Sequence, residues 1–414
     1  MEYVMKYDFD EVVERRGTGC LKYDFAKERG KKEDVLPLWV ADMDFKTVPA
    51  VTKRLQKAVE HGIYGYSDSK EDYFAAVSGW YRDHFDWNTK QEWMIKTPGV
   101  VFALAAAVRA YTEKGDAVLI QQPVYYPFRQ VIESNDRKLV SSDLVLRDGH
   151  YEIDFENFEA KIKEHQIHLF LLCSPHNPVG RVWKEWELRK IGEICLKYQV
   201  VVVSDEIHSD FVYPGNKHYV FASIEPEFEK ISVICTAPSK TFNLAGLQVS
   251  NIFIADEGLR KKFIRAVDQA GYSQVNLMGL VACQAAYEEG AEWLLQLKEY
   301  LLGNLSFVSI FIASTVISGI FTVTSSPSLT RTLPTVPGIV DPRCAGLDLS
   351  ALTLRSVLTS KFLSRTLISR IDPFTSKSNS RYPSSSGSVI SINLMIRYLP
   401  SSNFSVVSSP FLNP

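Results

Sequence analysis

The sequence predicts an α/β protein, with a three-layer α/β/α domain built around a mostly parallel sheet. Two observations carry this prediction. Short apolar runs rich in β-branched residues recur along the first 305 residues and end in Pro, Ser or Asp, as strands that are buried on both faces do. Amphipathic helical stretches separate these runs, and such alternation is typical of a parallel sheet covered by helices.

The predicted elements follow one another in a regular order. A helix is predicted for VFALAAAVRAYTEKG, residues 101–115, with Gly115 as its C-terminal stop. The elements after it are the strands AVLIQQP and HLFLLCSP, the helix WELRKIGEICLKYQ, and the strands QVVVVSDEI and ISVICTAPSK. The helical stretch GAEWLLQLKEYLLGNL is expected to lead out of the domain. No internal repeat is visible.

The composition is that of an ordinary globular protein and narrows the classes of function. The 414 residues are 46% apolar and 23% charged, with a net charge of −2. This charge gives no reason to expect nucleic acid or an acidic membrane as a partner. The six cysteines form no CxxC pair and no metal-ligand spacing, so a cytoplasmic location and no metal site are expected. The charged N-terminus does not resemble a signal peptide.

The composition changes abruptly near residue 305. Residues 1–305 hold 37 basic and 45 acidic residues, a net charge of −8. Residues 306–414 hold nine basic and three acidic residues, a net charge of +6, together with 25 serines. We interpret residues 306–414 as a Ser-rich tail that is unrelated to the first part of the chain.

Three interpretations of this tail remain open. On the opposite DNA strand, in a shifted frame, the codons allowed for residues 308–314 can encode Glu-Ala-Met-Lys-Met-Glu-Thr, which resembles a biotin-attachment motif. Later stretches permit further pieces of a carboxylase-type gene in the same order. The hypothesis is therefore antisense or frameshifted translation, and sequencing genomic DNA across the codons for residues 305–309 tests it. The alternatives are a disordered tail and a membrane helix over residues 306–323.

Polar side chains follow consecutive predicted strands, where α/β proteins bind ligands. Lys240 is either a snorkelling or ion-paired lysine, or a Schiff-base lysine whose amine becomes nucleophilic when burial lowers its pKa. Asp205 is either an N-cap or ion-pair residue, or the partner of a protonated pyridine nitrogen. Asn177 is either a turn residue or a donor to a ring oxygen. Tyr125 is either a core residue or a ring that stacks on a flat cofactor.

A phosphate site is predicted beside these residues. Gly99, Val100 and Val101 lie at a helix start, where free backbone N–H groups and the helix dipole suit an anion. Ser239 and Thr236 can add hydroxyl groups. An amine for an aldehyde, a carboxylate for a ring nitrogen, an amide for a ring oxygen, an aromatic lid and a phosphate site match the needs of pyridoxal 5′-phosphate.

The same motifs resemble a known family. NPVG, SDEIH and APSKTFNLAGLQ resemble, in order and spacing, the fold-type I pyridoxal-phosphate enzymes of the aspartate aminotransferase (class I/II) superfamily. LPLWVADMDF, YGYSD and SDEIHSDFVY resemble its MalY/PatB-type cystathionine β-lyase branch. The resemblance covers about residues 1–305, and no motif of the family is found after them.

The resemblance implies a role for each matching residue around the cofactor ring. Lys240 would hold the cofactor covalently and later move the substrate α-proton. Asp205 would bind the pyridine nitrogen, Asn177 the ring oxygen, and Tyr125 would stack on the ring. His208 stands where many aminotransferases have a tyrosine that contacts the cofactor, and this departure favours the lyase branch.

The resemblance also implies residues for the phosphate, the substrate and the dimer. Val100, Val101 and Ser239 would bind the phosphate, and residues 40–41 would lie near the substrate carboxylate. Tyr64 would reach the phosphate of the neighbouring subunit and take part in catalysis there. The expected assembly is therefore a homodimer with shared active sites, acting on a small amino-acid substrate.

The resemblance further implies a domain layout and a reaction. Residues 1–45 would belong to a small domain, residues 46–285 would form the cofactor-binding large domain, and residues 286–305 would form a connecting helix. The rest of the small domain is replaced by the tail. The expected reaction is β-elimination from a sulfur amino acid, giving a thiol, pyruvate and ammonia. The alternatives are an aminotransferase and a protein that binds the cofactor with impaired catalysis.

Overall fold

A seven-stranded sheet is the centre of the computed structural model, which describes residues 7–32, 35–37 and 39–306. The strands of these residues, numbered along the chain, are β1 (Met94–Thr97), β2 (Ala117–Ile120), β3 (Lys138–Ser141), β4 (Val145–Arg147), β5 (His150–Glu152), β6 (Leu169–Cys173), β7 (Val201–Asp205), β8 (Ser232–Thr236) and β9 (Ser250–Phe253). The order across the sheet is β1-β9-β8-β7-β6-β2-β3, and β4 pairs with β5 in a separate hairpin.

The sheet is mostly parallel, which confirms the predicted fold class. Strands β3, β2, β6, β7 and β8 pair in parallel, and β9 is antiparallel to both of its neighbours. The four strands predicted from sequence are β2, β6, β7 and β8, which lie side by side in the sheet. Their carboxyl ends therefore meet along one edge, where the predicted site residues follow.

Helices cover the sheet and connect its strands. Their bounds are α1 (Pro49–His61), α2 (Glu71–Phe85), α3 (Val100–Tyr111), α4 (Pro127–Glu133), α5 (Phe155–His165), α6 (Glu185–Lys197), α7 (Pro238–Thr241), α8 (Glu257–Gln269) and α9 (Leu277–Glu289). Residues 291–306 are also helical. None of the helices in the described part of the chain combines the length and the apolar character needed to cross a membrane.

The central strands are buried on both faces, as their continuous apolar sequences predict. In β7, Val202 packs into a large aromatic-rich core on one face, whereas Val203 packs into a second core on the face covered by α3 and α8. Both side chains are fully buried. Full burial of a valine is worth about 1.5–3 kcal/mol, so the two cores fix the direction of β7 and the place where it ends.

Helix α3 ends earlier than the sequence predicts. It stops at Tyr111, and Thr112 adopts an extended conformation. The Thr112 hydroxyl donates to the carbonyl of Val108 at 2.5 Å, which satisfies a carbonyl of the last turn without a glycine cap. Gly115 has φ 87° and lies in the turn that leads into β2, so its prediction as the helix stop is wrong.

Several predictions fall outside the described residues. The tail, residues 306–414, is described only at residue 306. Its antisense origin, its membrane alternative and its relation to a small domain therefore stay predictions. The limits proposed for residues 1–45, 46–285 and 286–305 also stay predictions.

Candidate active site

Lys240 lies beyond the carboxyl edge of the sheet, on the short helix α7 that follows β8. Its Nζ donates to the carbonyl of Ala41 at 3.0 Å. Burial lowers the pKa of Lys240, while the carboxylates of Asp42 and Asp205 oppose this change. Among the described residues, no carboxylate lies within 4.0 Å of Nζ, so the ion-paired alternative is not supported.

Asp205 is a buried carboxylate without a cationic partner in the described structure. It is the last residue of β7, and only 6% of its surface is exposed. Oδ1 accepts a hydrogen bond from the backbone N–H of Ile207 at 3.2 Å. Burial raises the pKa of Asp205 to about 7, with a further increase from Glu206 and a decrease from Lys240. A group that brings a positive charge to this carboxylate would therefore relieve a large desolvation cost.

The strands on either side of Asp205 contribute thiols rather than charged donors. Cys173 of β6 and Cys235 of β8 lie in register with Asp205, so the three side chains share one face of the sheet. Both thiols are buried, and burial together with the Asp205 carboxylate raises their pKa values. Sequence analysis did not single out these cysteines. Their signal is that each lies at the end of a strand that flanks β7.

The structure brings Tyr125 and Asn177 together near the end of β7, where Asp205 lies. The backbone N–H of Tyr125 donates to the carbonyl of Asn177 at 2.9 Å. The backbone N–H of Asn177 contacts the Sγ atom of Cys173 at 3.4 Å. Burial raises the pKa of Tyr125 to about 12, and the Asp205 carboxylate contributes to this increase. Tyr125, which is 36% exposed, therefore lies close enough to Asp205 to feel the charge of its carboxylate.

The predicted phosphate site lies at the start of α3. Val100 is the first helical residue, and no side chain caps the helix, so the N–H groups of Val100 and Val101 are available to an anion. Ser239 lies one residue before Lys240 in α7. Thr236 is fully buried, and its hydroxyl donates to the Asn251 carbonyl at 2.7 Å. The prediction that Thr236 adds a hydroxyl to the phosphate is therefore wrong, because that hydroxyl is already used inside the sheet.

His208 lies in the turn after β7, beside the lysine. Burial lowers its pKa to about 4, and the positive charge of Lys240 contributes in the same direction. His208 is therefore neutral near pH 7, and it adds no positive charge to the surroundings of Asp205. Among the described residues, no group of three or more His, Cys, Asp or Glu side chains could hold a metal ion.

Tyr64 lies in the exposed segment between α1 and α2. Its side chain is 60% exposed, and its hydroxyl donates to the Val59 carbonyl at 3.3 Å. Its neighbours Ile63 and Tyr66 are 67% and 98% exposed. Exposed apolar residues in one segment are typical of a surface that contacts another molecule.

Residues 40–41, predicted to lie near the substrate carboxylate, begin a segment that runs to residue 46 and was not otherwise singled out in the sequence. Val40 has φ 64°, a conformation that β-branched residues rarely adopt and that costs on the order of 1–3 kcal/mol. Ala41 provides the carbonyl that contacts Lys240. A cavity of about 320 Å³ lies next to this segment, bordered by residues 42–46 and Asn243.

The fold and the site together define a class of protein, namely an α/β enzyme that holds a flat, phosphorylated cofactor at the carboxyl edge of its sheet. The sequence model of the family "Aminotransferase class I and II" matches residues 33–306. The chain belongs to this family. The predicted recognition is confirmed, and the match ends close to the predicted limit near residue 305.

Individual proteins and solved structures of this family are similar to most of the chain. Cystathionine beta-lyase PatB of Bacillus subtilis (strain 168) is 44% identical over 307 residues, which cover 74% of this chain and 79% of the relative. Protein MalY of Escherichia coli (strain K12) is 32% identical over 305 residues, covering 73% and 77%. Cystalysin from Treponema denticola, whose crystal structure contains pyridoxal 5′-phosphate, has a TM-score of 0.72 and 39% identity, covering 75% of this chain and 79% of that one.

Proposed function

We propose that this chain is a pyridoxal-phosphate-dependent carbon–sulfur lyase that acts on a small sulfur-containing amino acid. The products would be a thiol, pyruvate and ammonia. The observation that carries the proposal is that the amine of Lys240, with its lowered pKa, and the buried carboxylate of Asp205 lie at or just after the ends of neighbouring strands and act on each other electrostatically. The likeness to PatB and cystalysin supports the choice of reaction.

The residues present fit the cofactor. The buried carboxylate of Asp205 needs a positive charge, which a protonated pyridine nitrogen supplies. The start of α3 offers the N–H groups of Val100 and Val101 to a phosphate. Tyr125 and Asn177, which would stack on the ring and bind its oxygen, are joined by a backbone hydrogen bond. When bound, pyridoxal phosphate accepts the electron pair that an amino-acid Cα keeps as it loses its proton.

Lys240 supplies the proton transfer in this proposal. Because burial lowers its pKa, a larger fraction of the amine is neutral near pH 7 than for an exposed lysine. A neutral amine can take the Cα proton of the substrate and hold it on Nζ. The Ala41 carbonyl, 3.0 Å away, accepts a hydrogen bond from Nζ and so holds the amine in a fixed position.

The cofactor part of the proposal can be tested with the purified full-length chain. Pyridoxal phosphate should give a visible absorbance band that is lost in Lys240→Ala. Reduction with borohydride should fix the cofactor to the tryptic peptide that contains Lys240. Labelling of other lysines at the same level in wild type and variant would contradict the proposed role.

The reaction is tested by following products. Release of pyruvate from cystathionine supports the lyase, whereas transfer of the amino group to an added keto acid supports the aminotransferase. A chain that holds the cofactor on Lys240 but yields neither product would be a cofactor-binding protein with impaired catalysis.

We further propose a homodimer in which Tyr64 serves the active site of the other subunit. The exposure of Tyr64, whose hydroxyl donates to the nearby Val59 carbonyl, supports this arrangement. Mixed subunits carrying Lys240→Ala and Tyr64→Ala test it. If Tyr64 acts across the interface, each heterodimer has one site with both residues intact, and activity returns. If Tyr64 acts within its own subunit, mixing restores nothing.

A cytoplasmic location is proposed because the five described cysteines are free and buried. Cell fractionation with an antibody to the chain tests this, and recovery from an oxidising compartment would contradict it.

A further inference from the structure

The loop after Lys240 is tied to the segment that contacts its amine. Asn243, three residues after Lys240, makes three hydrogen bonds with its side-chain amide. Oδ1 accepts from the backbone N–H of Met43 at 3.0 Å. Nδ2 donates to the carbonyls of Met43 and Phe45, both at 2.9 Å. We call these three bonds the Asn243 clamp.

The clamp lies two residues from the carbonyl that Lys240 uses. We propose that Asn243 is a positioning residue, because its clamp fixes the backbone that carries the Ala41 carbonyl and thereby sets the position of the Lys240 amine. The part that concerns the reaction rests on the lyase proposed above. The structural part concerns contacts within this chain alone.

The opposite side of the segment is held by charges. Arg15 pairs with Asp42 at 2.8 Å and with Asp44 at 2.7 Å. Lys22, with only 1% of its side chain exposed, donates to the Asp42 carbonyl at 2.9 Å. Alternate residues of the segment are therefore held from two sides, the aspartates by cations and Met43 by Asn243.

This double attachment explains how the strained backbone at Val40 is kept. A residue in a rarely populated conformation persists only when its surroundings hold it there. Val40 directly precedes Ala41, so a released segment would relax at the point that presents the carbonyl to Lys240. Because the Arg15 and Lys22 contacts remain without the clamp, its loss should shift the segment rather than unfold it.

The chain offers well-matched variants for a test. Asn243 has φ 58°, a left-handed conformation that Gly, Asn and Asp tolerate. Asn243→Gly therefore removes the clamp without backbone strain. Asn243→Asp keeps the size and the acceptor but places a carboxylate oxygen against two carbonyls. The control is Thr47→Val, which removes the bond from the Thr47 hydroxyl to the Phe242 carbonyl at 2.7 Å in the same region.

Three measurements on the full-length chain follow the effect from the clamp to the reaction. Hydrogen exchange at the Met43 amide should be on the order of tenfold faster in Asn243→Gly, because its acceptor is gone. Trace acetylation of Lys240 without cofactor should be faster in both Asn243 variants. The amine loses the Ala41 acceptor and moves away from Asp42, whose charge raises its pKa, so a larger fraction of it is neutral. With cofactor and cystathionine, kcat should fall on the order of a hundredfold, the effect of a displacement of about 1 Å, with a smaller change in KM.

The outcomes separate this proposal from the proposed function. Unchanged exchange at Met43 would overturn the clamp. Faster exchange with unchanged acetylation of Lys240 would overturn the positioning role, since the clamp would then be structural only. An effect of Thr47→Val on kcat as large as that of Asn243→Asp would also overturn it. A wild-type chain that releases no pyruvate would refute the lyase, and exchange and acetylation would still decide the role of Asn243.

Discussion

Replacing Asp205 by Asn is expected to stabilise the chain in the absence of the cofactor. Asn keeps the size of the side chain and an oxygen for the Ile207 N–H, which donates to Oδ1 at 3.2 Å. It removes the buried negative charge, whose cost arises because the described structure places no cation beside it. A variant at a site residue that makes the protein more stable is the pattern expected when function requires an unfavourable group.

The size of the effect follows from proton binding. Asp205 has a pKa of about 7 in the folded chain against an ordinary value of 3.8. Between these values the folded chain binds a proton that the unfolded chain has released, so the free energy of unfolding falls as pH rises. A tenfold change in proton affinity is worth about 1.4 kcal/mol, so the full loss above pH 7 is about 4 kcal/mol. Asp205→Asn lacks this loss.

The assay is urea unfolding of wild type and Asp205→Asn between pH 4 and pH 8.5, with the cofactor removed. The two proteins should be equally stable near pH 4, and the variant should become progressively more stable until about pH 7. His176 and His208, whose pKa values burial lowers to about 4, affect both proteins alike and leave the difference unchanged. A difference that does not depend on pH would refute the reasoning. Adding pyridoxal phosphate should reduce the advantage of the variant, because wild type gains a cation for its carboxylate.

Two further substitutions test how buried hydrogen bonds and tight packing stabilise the fold. Asp210 is buried and accepts hydrogen bonds from Trp80 Nε1 at 3.1 Å and Thr241 Oγ1 at 2.6 Å. Asp210→Ala leaves both donors unpaired and should lower the free energy of unfolding by about 2–4 kcal/mol. A midpoint of urea unfolding within error of wild type would contradict this. Gly192→Ala places a methyl group against the ring of Phe228 and should lower the free energy of unfolding by about 1–3 kcal/mol. If the same loss is measured in a Phe228→Ala background, the ring is not the cause.

The strands and their terminal residues could be predicted because a buried parallel strand leaves a clear local signal. Each of β2, β6, β7 and β8 belongs to a short, mostly apolar run with Pro, Ser or Asp at its end or within three residues after it. Asp205 and Lys240 stand out for the same reason, since a charged residue directly after such a run needs an explanation. Their proximity then follows from the rule that parallel strands end at one edge.

Other features leave no such signal in the sequence. The antiparallel direction of β9 is set by the route that the chain takes between β8 and β9, and the sequence of β9 itself does not report that route. The early end of α3 depends on the Thr112 hydroxyl rather than on Gly115. Asn243 reads in the sequence as one more loop residue, although its amide reaches about 200 residues back to Met43.

One cause shifts the pKa values of the two ionisable groups, Asp205 and Lys240, in opposite directions. Burial raises the pKa of Asp205 and lowers that of Lys240, and their mutual attraction only partly opposes this. The charged form of each group is therefore less favourable than it would be in water. Environments that push the pKa values of two groups apart mark an acid–base site. A cation delivered to Asp205 would restore its charge while leaving the Lys240 amine to react. This pair of shifts fits the cofactor proposed above, whose basic ring nitrogen would face Asp205 and whose electrophilic carbon would face Lys240.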